Sequence, residues 1–70
     1  MIILFQTNVS DKKSADRIIK AIVKELQISE VNFDLEDCDR ILRIATNREQ
    51  VDAGRIIYLV GKFGYSACLM

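Results

Sequence analysis

The stretch SEVNFDLEDCDRILRIAT, residues 29–46, decides how the chain folds. Val31, Phe33 and Leu35 alternate with Glu30, Asn32 and Asp34, the period of two of a strand with one wet face. The spacing predicts a strand over 29–35. Glu36-Asp37-Cys38-Asp39 is short and polar and reads as a hairpin turn. A second strand follows over 40–46, with Leu42 and Ile44 on one face and Ile41, Arg43 and Ala45 on the other. So short a connection makes the pair antiparallel.

Each flank of this hairpin changes period. Upstream, Ala15, Ile18, Ile19, Ile22 and Leu26 recur at helical spacing, predicting an amphipathic helix over about 11–26. Ser10 is its expected N-cap, with Asp11 in the first turn. Before it, Ile2, Ile3, Leu4 and Phe5 open a strand over 2–9. Downstream, Asn47 with Gln50 offers a capping box, and Thr46 with Glu49 the same pattern one residue earlier. Ala53, Ile56, Ile57, Val60 and Phe63 mark the expected buried face of a second helix. Gly61 weakens its last turn, and Gly64 ends it as a residue able to take positive φ. Tyr65 to Met70 reads as a last strand.

The order β-α-β-β-α-β, with right-handed crossovers, predicts an α+β ferredoxin-like domain over residues 1–70. Its sheet has four antiparallel strands in the order 4-1-3-2, with both helices on one face. The loops 8–14, 36–39 and 61–65 are then expected at the same end. Cys68 falls about 10 Å down the far edge strand from that end. A bridge to Cys38 is therefore not expected.

Composition narrows the function. Ten Lys+Arg balance ten Asp+Glu, and the chain has no His, Trp or Pro. Zero net charge argues against nucleic acid or an anionic membrane as partner. Without His there is no imidazole base or ligand. No phosphate loop and no nucleophile with a base appears, so no enzymatic activity is expected. No run is apolar for about twenty residues, and no signal-peptide pattern opens the chain. With two isolated cysteines, this places the protein in the cytoplasm as an expectation.

The topology, the length, the strand-loop-helix start and the Gly64-Tyr65 step into the last strand resemble heavy-metal-associated domains. These are the small copper chaperones and the metal-binding modules of metal-pumping ATPases. That family carries MxCxxC in the first loop, with an apolar residue four positions after the second cysteine. With Ile18 at that apolar position, Val9 stands for the Met, and Asp11 and Ser14 stand for the two cysteines. Two thiolates hold a soft Cu(I) ion; an Asp and a Ser do not. The resemblance thus implies the fold without the family's cofactor.

Two functional classes follow. In the first, the chain is a protein-binding or self-associating module. Ile2, Leu4, Ile41, Cys68 and Met70 fall on the sheet face that the helices leave open, where polar residues are the rule. The last strand is also an edge, open to pairing. In the second, Asp11, Ser14 and Cys38, with the acids of the hairpin, form a changed ligand set for a transition-metal or harder cation. Against it, Lys12 and Lys13 repel a cation, and Ser10 and Asp11 suffice as a helix cap.

Overall fold

The computed structural model describes residues 1–36, 38–48 and 50–70. The chain runs β1 (Ile2–Thr7), α1 (Lys12–Leu26), β2 (Glu30–Asp34), β3 (Ile41–Ala45), α2 (Ala53–Lys62) and β4 (Ala67–Leu69). The four strands form one sheet in the order β2-β3-β1-β4, the predicted order, and all its pairings are antiparallel. The fold is therefore the ferredoxin-like α+β arrangement that the sequence predicts.

β1 lies inside the sheet and pairs with both β3 and β4. Ile3 pairs with Ile44 and Phe5 with Leu42 on one side. Phe5 pairs with Leu69 and Thr7 with Ala67 on the other. Because side chains alternate along a strand, odd positions of β1 face the helices and even positions face away. Phe5, Leu42 and Ile44 are fully buried beneath Ile18 and Ile22 of α1 and Ile56 and Val60 of α2. The ladder extends past the strand end, where the Met1 ammonium donates to the Thr46 carbonyl at 2.8 Å. At the other end, the Thr7 amide bonds the Asp39 carbonyl and the Thr7 hydroxyl donates to the Arg40 carbonyl. Arg40 takes φ +45° there, just before β3 begins.

Both helix starts differ from the sequence reading, for one reason. The cap of α1 is Asp11, not Ser10: its backbone is extended, and its carboxylate accepts from the Ser14 amide at 2.9 Å. The cap of α2 is Asp52, not Asn47, and its carboxylate accepts from the Arg55 amide at 3.0 Å. In each case a carboxylate next to the helical run takes the cap. Thr46 instead accepts from the Arg48 amide, closing a local turn; its suggested partner Glu49 lies outside the described residues. Val51, one position before the Asp52 cap, packs against the core together with Ile56, as in a hydrophobic staple.

The shorter α2 also turns its stripe. Leu59 is buried, whereas Ile57 and Phe63, expected inside, are exposed. Gly64 takes φ +88° just after the helix, as predicted. β4 is three residues long rather than six. Leu69 faces the helix side through its pairing with Phe5, yet it is 52% exposed because β4 is the sheet edge.

Two expected outcomes follow. Phe5→Ala empties the centre of the core and should cost about 3–5 kcal/mol in chemical denaturation. Leu69→Ala, on the same side of the sheet but exposed, should stay below about 1 kcal/mol. Asp52→Ala should cost about 1 kcal/mol through loss of the cap, while Asn47→Ala should change stability by less than about 0.5 kcal/mol.

Candidate functional site

Two regions bear on function: the end of the sheet where the loops meet, and the open face.

At the loop end, hydrogen bonds tie the segments together. Gln6 Nε2 donates to Asp39 Oδ1 at 3.1 Å, joining β1 to the hairpin. The Ser66 amide donates to Asn8 Oδ1 at 2.8 Å, joining β1 to the lead into β4. The Tyr65 hydroxyl donates to Asp11 Oδ1 at 3.0 Å and lies 2.9 Å from Ser14 Oγ. Asp11 and Ser14, two of the residues singled out from the sequence, are therefore brought together. Their oxygens serve the start of α1 and the Tyr65 strap. The Ser14 amide foremost, then the Ser14 and Tyr65 hydroxyls, hold the Asp11 carboxyl below the usual aspartate value. Nothing in the spacing singles out Tyr65 as this strap; it emerges only once the two loops are placed side by side.

Cys38 and Cys68 are both free and exposed. Of the acidic turn, Asp34 and Glu36 are exposed and Asp39 bonds Gln6, while Asp37 lies outside the described residues. Among the described residues, no three His, Cys, Asp or Glu side chains stand close enough to share a metal ion. No helix is long and apolar enough to cross a membrane.

The open face can be read from the register. Glu30, Ala45 and Ile2 form one row across β2, β3 and β1. Asn32, Arg43 and Leu4 form the next, and Met70 continues it through its amide bond to the Leu4 carbonyl at 3.0 Å. Asp34 pairs with Ile41, and Gln6 with Cys68. Ile2 is 58% exposed, Leu4 36% and Met70 61%. Ile41 is half-buried and Cys68 exposed. All five residues singled out from the sequence thus lie on this face. Leu4 joins them: Ile2 is two positions away on its own strand, and Met70 lies directly across. Arg43 on β3 and Gln6 on β1 interrupt the apolar surface, so it is continuous only along β1 and the end of β4. Toward β3 and β2 lies a shallow hollow of mixed character, lined by Leu4, Phe33 and Ile41 together with Asn32, Asp34 and Arg43.

The loop end generates a pH-dependent prediction. A carboxyl whose pKa is lowered by folding stabilises the fold above its unfolded value, about 3.9, and loses that effect as pH falls through its folded value. The stability gap between the wild type and Asp11→Ala should therefore be constant above about pH 5 and shrink below about pH 4. Tyr65→Phe removes the strap's hydroxyl and should cost about 1 kcal/mol at neutral pH. A gap that does not change with pH would separate the cap from the Asp11 charge.

Comparison with protein-family models, with curated proteins and with solved structures returns no match.

Proposed function

We propose that this chain is a protein-binding or self-associating module that works through the open face of its sheet. It resembles a heavy-metal-associated domain in which the first loop holds a helix cap where the family holds thiolates. The observation that carries the reading is the uncovered run Ile2, Leu4 and Met70, with Ile41 and Cys68 beside it. A sheet face turned to water is ordinarily polar. Clustered apolar surface on a chain of 70 residues marks a contact more often than isolated exposed side chains do.

The strand edges favour the face over edge-to-edge pairing. β2 carries Glu30 and Asp34, and β4 is only three residues long. Charge and shortness are both ways of blunting an edge. The rival reading, a cation held by Asp11, Ser14 and Cys38, has less behind it. The first two are already committed to the α1 cap and to Tyr65.

Leu4→Lys sets a charge in the middle of the patch without touching the core. Sedimentation over a concentration series should show the wild type exceeding its 8.0 kDa monomer mass. The variant should need at least about tenfold more protein to do so, the equivalent of losing one buried leucine contact. Equal masses for the two proteins at every concentration would overturn self-association through this face.

A further inference from the structure

Zero net charge conceals a basic helical layer: the helices sum to five positive charges, the strands to one negative charge and the loops to four. α1 carries Lys12, Lys13, Arg17, Lys20 and Lys24 against Asp16 and Glu25, and α2 adds Arg55 and Lys62. The helices are thus five charges positive, and the rest of the chain is five charges negative. The cations are also ordered. Ala15, Ile18 and Ile22 point at the sheet, so Lys13, Arg17, Lys20 and Lys24 run along the opposite ridge of α1 at helical spacing. That ridge is roughly 16 Å long at the helical rise. Beside it on α2 stands exposed Tyr58, with Arg55 and Lys62 each 5.7 Å from its ring centre. Glu25 is paired with Arg55 at 3.1 Å and so does little to offset the ridge.

The open sheet face bears the complement. Glu30 and Asp34 lie on it along β2, roughly 13 Å apart at the strand rise. Asp39 sits at its rim through Gln6. β3 lies between this row and the apolar strip of Ile2, Leu4 and Met70, and its Arg43 faces the same side. Two acids on β2 and an apolar strip on β1, with Arg43 of β3 between them, therefore face one way. A basic ridge of similar length next to an exposed tyrosine faces the other.

Resting on the reading of the open face as a contact surface, we propose that its occupant is the helical layer of a second copy of this chain, packed head to tail. The second copy's α1 ridge lies along Glu30 and Asp34, and its Tyr58 covers Leu4 and Met70. The sheet then has helices on both faces, its own on one and its neighbour's on the other, which is a stable layering for a sheet. Because the two contacting surfaces differ, each copy keeps one free surface of each kind, and the assembly grows beyond a dimer unless it closes into a ring. The contact weakens with salt, since much of its attraction is between solvent-accessible charges.

Charge reversal on each surface tests this. Lys20→Glu with Lys24→Glu alters only the ridge; Glu30→Lys with Asp34→Lys alters only the sheet face. All four side chains are exposed. The expected result is a wild-type mass that passes the dimer as concentration rises. In about 0.5 M salt it should need at least about tenfold more protein than in about 0.05 M. Each double variant alone should stay monomeric, and an equal mixture of the two should regain assembly. A closed dimer that ignores salt and the ridge variant would overturn this inference while leaving the open face as the contact. A wild type that is monomeric at every concentration and in both salts would overturn self-association altogether.

Discussion

Leu4 and Phe5 are adjacent in sequence and point to opposite sides of an internal strand. Phe5 is fully buried between the sheet and the helices; Leu4, on the open side, is 36% exposed. That two-sided strand is the constraint from which the other features follow. Its odd positions, Ile3, Phe5 and Thr7, fix the registers of β3 and β4 and seat both helices. A slip of one residue would carry Phe5 to the outside, so the core locks the register. The same lock holds Ile2 and Leu4 on the open side.

The ends of β1 are secured by polar bonds rather than by packing. Thr7, nearly buried, bonds the Arg40 carbonyl and accepts from the Val9 amide at 3.3 Å, so the chain can turn toward α1 without leaving these groups unpaired. Asp11 then caps the helix, and Tyr65 reaches the same carboxylate from the entry to β4. This corner is a mechanical joint between α1 and the last strand. The functional surface passes, on our reading, to the other side of the sheet.

The hairpin's alternation, the spacing of Ala15, Ile18 and Ile22, and the Gly64 stop carry the topology, and all are local signals. The helix caps were less legible. Asn47 and Asp52 both satisfy a local capping pattern, and the choice depends on where Val51 and Ile56 meet the core. Leu69 obeys strand parity, yet edge position leaves it exposed; parity says which side a residue faces, not what lies above it. Parity was enough to place Ile2, Leu4, Ile41, Cys68 and Met70 on one face. Arg43, the polar break in that patch, shares their parity in the sequence. Its place beside Leu4 requires the register of β1 against β3. The basic ridge is invisible to a net-charge sum and appears only when α1 is wound into a helix.

A soluble paramagnetic probe reads the central claim most directly, because it reports which groups water reaches. The methyl groups of Ile2, Leu4 and Met70 should be strongly relaxed by the probe in dilute protein. They should become shielded as concentration rises, together with the amides along the Lys13–Lys24 ridge, while those of Phe5 and Leu42 stay shielded throughout. Relaxation of the Ile2, Leu4 and Met70 methyls that stays the same from dilute to concentrated protein would contradict the account.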